Sequence, residues 1–397
     1  MAKRKYAFIV PDGAADHPVP SLGGKTPLEA ARAPNLARLA REGTLGLART
    51  IPEGMPPGSD VGMLSLLGYD PRRYFTGGRA PIEAAALGIR LGPEDVAFRL
   101  NLVTVADGRM KDYSGGHIST GAARPIVEAI AKELGGGDWS FHPGVEYRHI
   151  FRWNRYGAAT PLPKTTPPHE ITDQPVAPNL PQGQHADRLL DVMERTRAIV
   201  PRFGTKATQG WIWSGGRAPS LPTLAERFGG ARGAATSSVD IVRGLATLAG
   251  IAVVPVPGQT GLWDTDFPSE GRTAVNALFG EDDFDFAFIH IEGSDEATHS
   301  GLLDQKVRVI EQIDEHIVGP LLERARAGAD LRILVSPDHA TTIATRGHAA
   351  DPVPFLLWGP GIAARGGEGY FEEAARVAMA GEPPVPGHEL LARLFAA

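Results

Sequence analysis

The sequence contains no cysteine, and this absence removes several kinds of chemistry at once. None of its 397 residues can form a disulfide, bind a metal as a thiolate or act as a cysteine nucleophile. Any metal in this protein must therefore be held by carboxylate, imidazole or hydroxyl groups.

The sequence also lacks a long apolar segment and an excess of positive charge. No run approaches the ~18 apolar residues of a membrane span, and the run at residues 6–10 is far shorter than the apolar part of a signal peptide. The net charge of −6 gives no reason to expect nucleic-acid binding, so an anionic substrate needs a local basic pocket. We expect a cytoplasmic monomer or small homo-oligomer without membrane or nucleic-acid partners.

Glycine and proline, by contrast, are abundant. The chain has 48 glycines and 34 prolines, while its hydrophobic share of 42% is ordinary for a globular protein. Because apolar runs recur along the whole chain, this excess indicates many connections between short elements and not disorder. A length of 397 residues favours two domains of unequal size.

Short apolar runs near both ends of the chain predict the strands of a buried sheet. They occupy residues 6–10, 285–291, 331–335 and 353–358. Unbroken runs of this kind suit parallel strands covered on both faces. A helical pattern at residues 304–327 lies between two of them, and alternating strands and helices predict an α/β sandwich.

The middle of the chain, residues 96–215, loses this alternating rhythm. Its candidate elements are a strand at 98–105 and helices at 121–134 and 185–199. Seven prolines stand between Pro161 and Pro181. We interpret this stretch as a smaller inserted α+β domain, with residues 1–95 and 216–397 forming the two parts of the core.

Polar residues gather at or next to the candidate core strands. They are Asp12, Asp295, His299, Asp338, His339 and His348. Ligands of open α/β sheets bind outside the carboxyl ends of the strands, so these residues are expected to converge. Three aspartates and three histidines suit Mn²⁺, Zn²⁺ or Mg²⁺ and are enough for two sites. A pair of metal ions can stabilise both oxygens of a phosphoryl transfer.

Ser59 is the candidate nucleophile. It follows a Pro-Pro-Gly turn and precedes an apolar helix, so it lies where a helix N-terminus favours a negative oxygen or a phosphate. Taken singly, these residues have ordinary interpretations: Ser59 as a helix cap, Asp12 as a turn residue and His348 as a structural histidine. Their expected convergence at one sheet edge favours the metal interpretation.

Several motifs then resemble a known family. The matching segments are Val-Pro-Asp12-Gly, Pro-Gly-Ser59-Asp60-Val-Gly, Leu-Gly68-Tyr69-Asp70-Pro71, Asp295-Glu296-Ala-Thr-His299, Pro-Asp338-His339 and Gly-His348-Ala-Ala-Asp351-Pro-Val-Pro-Phe355. In this order they resemble the alkaline phosphatase superfamily, and within it the archaeal-type cofactor-independent phosphoglycerate mutases. The resemblance covers nearly the whole chain and implies an alkaline-phosphatase-like three-layer sandwich around a mainly parallel sheet.

The resemblance also implies roles for individual residues. One metal would be held by Asp12, Ser59, Asp338 and His339, and the other by Asp295, His299 and His348. Ser59 would take the phosphoryl group from one glycerate oxygen and return it to the other, while the inserted domain holds the glycerate and closes over the core. The family implies two divalent ions, with Mn²⁺ expected first and Mg²⁺, Zn²⁺ or Co²⁺ as alternatives, and no 2,3-bisphosphoglycerate.

Substrate recognition is where the sequence departs from the family. Archaeal members carry an arginine-rich stretch where this chain has residues 111–118, and the run at 207–216 resembles a bacterial branch with a suggested homoserine-phosphorylating activity. The candidate residues for the anionic substrate are Arg79, His117, Arg148 and His169. Each of them also has an ordinary interpretation as a surface or packing residue.

Three functions therefore remain open at this point. The first is interconversion of 3-phosphoglycerate and 2-phosphoglycerate through a phosphoserine. The second keeps the metals and Ser59 but hydrolyses a phosphate ester or phosphorylates another small alcohol. The third is a non-enzymatic protein with a structural metal, which the oxygen-rich ligand set disfavours because structural sites are usually closed and built from cysteine and histidine.

Overall fold

A computed structural model of the chain describes residues 3–396, so residues 1, 2 and 397 of the predicted core ranges lie outside the described residues. The described residues form two compact units, one within the ranges Met1–Phe75 and Ser220–Ala397 and the other within Thr76–Pro219. No helix among the described residues is long and apolar enough to cross a membrane.

The strands of the described chain are β1 (Lys5–Pro11), β2 (Thr44–Arg49), β3 (Val96–Ala106), β4 (Arg109–Asp112), β5 (Trp139–His142), β6 (Arg148–Trp153), β7 (Gln209–Gly216), β8 (Gly233–Thr236), β9 (Ala252–Val253), β10 (Phe286–Ile291), β11 (Leu331–Val335), β12 (Ala340–Thr342), β13 (Gly347–Ala349), β14 (Val353–Trp358) and β15 (Val385–Pro386). Of these strands, β3 to β7 belong to the smaller unit and the others to the larger one.

The α-helices range from single turns to four turns. They are α1 (Pro27–Ala30), α2 (Pro34–Glu42), α3 (Ser59–Leu66), α4 (Pro71–Tyr74), α5 (Ala80–Ala86), α6 (Thr120–Leu134), α7 (Ala186–Ile199), α8 (Leu224–Arg227), α9 (Asp240–Leu248), α10 (Phe267–Phe279), α11 (Gly293–His299), α12 (Leu303–Ile313), α13 (Gly319–Arg326), α14 (Glu372–Ala378) and α15 (Leu390–Phe395).

The larger unit is built on an eight-stranded sheet with β1 near its centre. The strand order is β15-β2-β14-β11-β1-β10-β8-β9. Neighbouring strands are parallel except at β14, which runs antiparallel to both β11 and β2. The predicted mainly parallel sheet is confirmed, but the prediction of a parallel strand at residues 353–358 is wrong. An apolar run reports burial on both faces and carries no information about strand direction.

Helices cover both faces of this sheet. On one face, alternate residues of the central strands, such as Ala7 and Ile289, pack against apolar residues of α2, α10, α12 and α13. On the other face, Tyr6 stacks on Phe395 of α15 with ring centroids 4.2 Å apart. Phe395 also stacks on Phe228, which directly follows α8. The predicted three-layer α/β sandwich is thereby confirmed.

The helix predicted at residues 304–327 is present with one irregular turn. Between α12 and α13 the chain forms a π-helical turn at Asp314–Val318. The Asp314 carboxylate accepts hydrogen bonds from the backbone N–H groups of Asn35 and Leu36, at 3.2 and 2.6 Å. This carboxylate therefore satisfies the first N–H groups of α2, which a helix start otherwise leaves without partners.

The smaller unit has a five-stranded antiparallel sheet and two main helices. β3 is its longest strand and pairs with β4, β6 and β7, while β5 pairs with β6. Helices α6 and α7 bury residues such as Ile126 and Leu189 in the same core as Trp211 of β7. This architecture agrees with the predicted α+β domain.

The structure places the start of the smaller unit at Thr76, earlier in the chain than the predicted residue 96, and its end at Pro219 instead of 215. The earlier start has a packing reason. In α5, Ala80 and Ala84 form a buried cluster with Ala97 of β3 and Ile150 of β6. The segment before β3 therefore belongs to this unit by its contacts.

Candidate active site

Most of the polar residues predicted to converge do so at the carboxyl edge of the large sheet. Asp12 directly follows β1, Asp338 and His339 follow β11, and Asp295 lies in α11 just after β10. All four residues are buried, with exposures of 3% or less. The ends of parallel strands meet at one edge, so residues more than 300 positions apart in sequence become neighbours.

His348 reaches the same edge by a different route. It lies in β13, whose hairpin with β12 follows the end of β11. The antiparallel direction of β14 follows from this route, because the chain is already at the carboxyl edge when β14 begins. The reversed strand thus returns the chain across the sheet after His348 has been placed.

Two glycines allow the site loops to approach closely. Gly13 has a φ of 59°, and a side chain there would collide with the Asp295 carboxylate and the Thr341 hydroxyl. Gly62 in α3 lies against the backbone of Asp338, which a Cβ atom would also meet. These positions let the loop after β1 and the helix that begins with Ser59 pack directly on the ligand-bearing segments.

Ser59 is the first residue of α3, as the sequence predicted. The helix follows Gly58, and the positive end of its dipole lies at the serine. The Ser59 Oγ atom is 3.4 Å from His339 Nε2. His339 Nε2 in turn lies 3.7 Å from Asp12 Oδ1 and 3.2 Å from Asp338 Oδ2. The four residues assigned by resemblance to one metal are therefore neighbours.

The residues assigned to the other metal form a second group. Asp295 Oδ2 lies 3.0 Å from His299 Nε2, and Asp295 Oδ1 lies 3.6 Å from His348 Nε2. The two imidazole Nε2 atoms are 2.9 Å apart. One ligand atom from each of these three residues lies within 4.8 Å of the others, a spacing compatible with a shared metal ion.

Hydrogen bonds behind His299 and His339 fix which ring nitrogen of each of these two histidines faces the site. His299 Nδ1 donates to the carbonyl of Arg346 at 2.8 Å. The Thr341 hydroxyl donates to Asp295 Oδ1 at 2.5 Å, so it accepts from His339 Nδ1 at 3.1 Å. With Nδ1 carrying the proton, the Nε2 lone pairs of His299 and His339 are available to a metal.

Two carboxylate oxygens of the site, Asp12 Oδ1 and Asp338 Oδ2, are buried without a hydrogen-bond partner among the described residues. Burial raises the pKa of Asp12 well above its usual range, and the nearby charges of Asp338 and Asp295 raise it further. Such buried oxygens cost free energy unless a cation neutralises them, so the donor set fits divalent ions.

The imidazoles respond to the same charges. Hydrogen bonding to Asp295 raises the pKa of His299 to about 9. Burial lowers the pKa of His348, but the hydrogen bond and charge of Asp295 outweigh it and raise this pKa. Burial alone dominates at His339 and lowers its pKa. A metal ion bound by Asp295, His299 and His348 therefore has to displace protons from the two imidazoles.

Two residues near Asp12 were missed by the sequence analysis. His290 Nε2 lies 2.7 Å from Asp12 Oδ2, and 3.4 Å from Glu292 Oε2. Asp12, His290 and Glu292 form a third group with metal-compatible spacing. The available signal was a histidine inside the otherwise apolar run of β10, next to the carboxyl end of the strand.

The smaller unit contains a cavity of about 310 Å³ that is rich in cationic groups. Its lining residues are Arg79, Arg99, Asn101, Tyr113, Tyr147, Arg148, His169 and Trp213. Three of the four residues predicted to bind an anionic substrate, Arg79, Arg148 and His169, are therefore brought together. No acidic side chain stands among these eight described residues, so the cavity suits an anion.

Aromatic rings and one carboxylate hold the cavity's cations in place. Arg99 pairs with Glu83 through two hydrogen bonds and lies over the ring of Trp213, 4.7 Å from its centroid. Arg148 lies 5.3 Å from the ring centroid of Tyr147. Burial lowers the pKa of His169, and the charges of nearby Arg99 and Arg79 contribute to that lowering.

His117 lies elsewhere. It is not among the lining residues of the cavity, and its exposed side chain follows the Asp112 turn at a φ of 53°. Its backbone N–H donates to the Ser114 hydroxyl at 2.9 Å.

Two residues of the cavity, Arg99 and Asn101, were not predicted from the sequence. Both interrupt the apolar sequence of β3 at alternate positions, which share one face of the strand.

A family model and individual relatives of known name indicate the same family for this chain. The family model for 2,3-bisphosphoglycerate-independent phosphoglycerate mutase matches residues 40–202. A relative from Methanothrix thermoacetophila with that name is 44% identical, over 99% of this chain and 100% of its own length.

Solved structures extend the likeness to the fold. A protein from Pyrococcus horikoshii has a TM-score of 0.80 and 26% identity, covering 100% of this chain and 98% of its own. The cofactor-independent phosphoglycerate mutase from Thermoplasma acidophilum has a TM-score of 0.67 and 26% identity, covering 99% of both chains. This chain belongs to the family of 2,3-bisphosphoglycerate-independent phosphoglycerate mutases.

Proposed function

We propose that this enzyme interconverts 3-phosphoglycerate and 2-phosphoglycerate through a phosphoserine at Ser59, with two bound divalent ions and no 2,3-bisphosphoglycerate. The observation that carries the proposal is the convergence of Ser59 with three aspartates and three histidines at one sheet edge. The family name of its relatives supports the choice of substrate. Mn²⁺ is the ion we expect first, because mixed carboxylate and imidazole ligands suit it.

Two residue sets would hold the ions. Asp12, Ser59, Asp338 and His339 would form one set, and Asp295, His299 and His348 the other. The orphaned oxygens of Asp12 and Asp338 and the facing Nε2 atoms support this division. When bound, the ions would lower the pKa of the Ser59 hydroxyl and neutralise charge on the transferred group.

In the proposed reaction, Ser59 takes part in a double displacement. Its Oγ forms a bond to phosphorus as the bond between phosphorus and one glycerate oxygen breaks, and the departing oxygen takes a proton. The second glycerate hydroxyl then attacks phosphorus as the bond between phosphorus and Ser59 Oγ breaks, and the proton of that hydroxyl passes to the released Oγ. The position of Ser59 at the start of α3 places the phosphoserine at the positive end of the helix dipole.

The arginine-lined cavity of the smaller unit would bind the carboxylate of the glycerate. Arg99 is held by Glu83 and by Trp213, and its side chain is only 13% exposed. Arg148 is 48% exposed and has a weaker partner, Glu146, at 3.6 Å. A buried guanidinium beside a more exposed one provides two forked cationic donors for a carboxylate.

A coupled assay tests this function. The purified enzyme receives 3-phosphoglycerate and Mn²⁺ without 2,3-bisphosphoglycerate, and both 2-phosphoglycerate and inorganic phosphate are measured. The proposal expects 2-phosphoglycerate as the main product. If only phosphate appears, the enzyme is a phosphatase. If transfer requires added homoserine, the enzyme is a small-alcohol phosphotransferase, and in both cases the mutase proposal fails.

A further inference from the structure

His290 occupies a position in the sheet that links three neighbouring strands. In the order β1-β10-β8, it lies near the end of the middle strand, paired in register with Val10 of β1. The partner of the preceding residue, Ile289, is Thr236 of β8. Asp12 and Ser237 therefore lie just beyond the flanking strands on either side of His290, whose side chain is completely buried.

A continuous chain of hydrogen bonds crosses these strands. The backbone N–H of Val239 donates to Ser237 Oγ at 3.0 Å, and Ser237 Oγ lies 2.9 Å from His290 Nδ1. His290 Nε2 lies 2.7 Å from Asp12 Oδ2. Because Ser237 already accepts from Val239, its own proton can be donated to His290 Nδ1. The proton of a neutral His290 then resides on Nε2 and is donated to Asp12.

This arrangement is the reverse of that seen at His299 and His339. Those two residues donate from Nδ1 to groups behind them and direct the Nε2 lone pair into the site. When Asp12 is ionised, as metal binding requires, two facing lone pairs 2.7 Å apart would repel each other, so His290 directs an N–H group at Asp12 Oδ2. His290 is therefore built as a donor to Asp12 and not as a metal ligand.

We propose that His290 is a positioning residue that divides the two oxygens of Asp12 between two tasks. His290 holds Oδ2, so that Oδ1, which is buried and lacks a hydrogen-bond partner, is directed at the ion shared with Ser59, Asp338 and His339. Ser237 fixes the ring that does this. The inference rests on the proposed function, because it assigns Asp12 to that ion.

The competing interpretation is a third ion held by Asp12, His290 and Glu292, whose ligand atoms are close enough together. The hydrogen bond to Asp12 argues against it, since the Nε2 proton would have to leave before a metal could bind there. The two interpretations differ in stoichiometry. Two ions per chain agree with a positioning role, and a third ion lost in a His290 variant would overturn it.

The test compares two variants of the full-length protein after removal of metal by chelation. In His290→Asn the amide can still reach Ser237 but not Asp12, whereas His290→Gln keeps an N–H group at the position of Nε2. Mn²⁺ alone is titrated into each protein by calorimetry, and kcat is then measured at saturating Mn²⁺. We expect His290→Asn to weaken one of the two binding steps about 10–100-fold, and His290→Gln to restore most of that loss.

The controls separate this inference from the function on which it rests. His142→Asn changes another histidine with a serine partner, Ser140 at 2.9 Å, and should leave Mn²⁺ binding unchanged. The positioning role would be overturned if His290→Asn bound Mn²⁺ as tightly as the wild type, or if His290→Gln lost as much Mn²⁺ affinity as His290→Asn. In either case the proposed function would stand, provided that the wild type binds Mn²⁺. Should His290→Asn fail to fold, Ser237→Ala must weaken the same step, and unchanged affinity there overturns the inference. A wild type that binds no Mn²⁺ would instead refute the proposed function.

Discussion

The Nε2 atoms of His299 and His348 lie 2.9 Å apart, although 49 positions separate the two residues in sequence. Two protonated nitrogens at this distance would repel each other, so at least one of them presents a lone pair. The Asp295 carboxylate lies beside both rings, at 3.0 and 3.6 Å. A divalent ion accepts all three donors at once, which is why we regard this pair as the clearest local sign of a metal site.

The first prediction concerns removal of the metals. Chelation of the wild type should abolish turnover of 3-phosphoglycerate, because in the proposed function the ions activate Ser59, and Mn²⁺ should restore it. His348→Ala should need a higher Mn²⁺ concentration for half-maximal activity than the wild type. Activity is followed by the coupled assay, with metal content measured by atomic emission. Full turnover in a preparation without detectable metal would refute the metal assignment.

The second prediction concerns Arg148. Arg148→Ala should reduce formation of 2-phosphoglycerate strongly while Mn²⁺ binding survives, because Arg148 lines the cavity of the smaller unit and none of the proposed ligands does. If the glycerate leaves before the second transfer, water attacks the phosphoserine. The ratio of phosphate to 2-phosphoglycerate should therefore rise. Arg124→Ala, which removes an exposed arginine paired with Glu128 in the same unit, is the control and should match the wild type.

The third prediction concerns stability against pH through His149. Burial lowers the pKa of His149 to about 3, far below the unfolded value of about 6.5. The unfolded chain therefore binds a proton first as the pH falls, and the stability due to the neutral ring is present above pH 6.5 and lost toward pH 3. This loss amounts to about 2 kcal/mol between pH 7 and pH 5.

A matched variant isolates this contribution. His149→Asn keeps an acceptor for the Gly144 N–H group, which bonds to His149 Nδ1 at 3.1 Å, but does not titrate. Urea unfolding at pH 7 and pH 5 should show the stability advantage of the wild type shrinking by about 2 kcal/mol at the lower pH. An advantage that stays constant between the two pH values would show that His149 is not held neutral.

The fourth prediction concerns Lys306, which is completely buried in α12. Its ammonium group donates to Asp16 Oδ2 at 2.9 Å and to the carbonyl of Thr341 at 2.5 Å. Lys306→Met leaves the Asp16 carboxylate buried without its cation and should lower the free energy of unfolding by about 3–5 kcal/mol. Arg38→Ala breaks an exposed pair with Glu42 and should cost about 0.5 kcal/mol or less. Equal losses in the two variants, measured by urea unfolding, would contradict this account.

Much of the fold was accessible from the sequence because its signals are local. The apolar runs of β1, β10 and β11 report burial on two faces, and the rule that parallel strands end at one edge then brings Asp12 and Asp338 together. The direction of β14 was not accessible, because burial is the same in either direction. The start of the smaller unit was not accessible either. Helix α5 belongs to this unit because it packs on β3, and the sequence of α5 alone does not reveal that contact.

In the site, too, some residues could be predicted from local sequence and others could not. Ser59 could be placed at a helix start because the Pro-Pro-Gly turn precedes an apolar segment. His290 escaped notice because it is a single histidine within a run interpreted as a buried strand. Arg99 and Asn101 escaped notice because they lie within a segment interpreted only as a strand. The position of His117 depends on the turn after Asp112. His117 itself has a positive φ there, which could not be predicted from its residue type.

The most direct test of the central claim is to find the phosphoryl group on Ser59. The wild type is incubated briefly with Mn²⁺ and 3-phosphoglycerate labelled in the phosphate, quenched in acid and digested for mass spectrometry. We predict that the label lies on Ser59, and that Ser59→Ala is unlabelled and inactive while its circular dichroism and Mn²⁺ content show a folded, metal-binding protein. Turnover near the wild-type rate in Ser59→Ala, or label on another residue, would contradict the covalent mechanism.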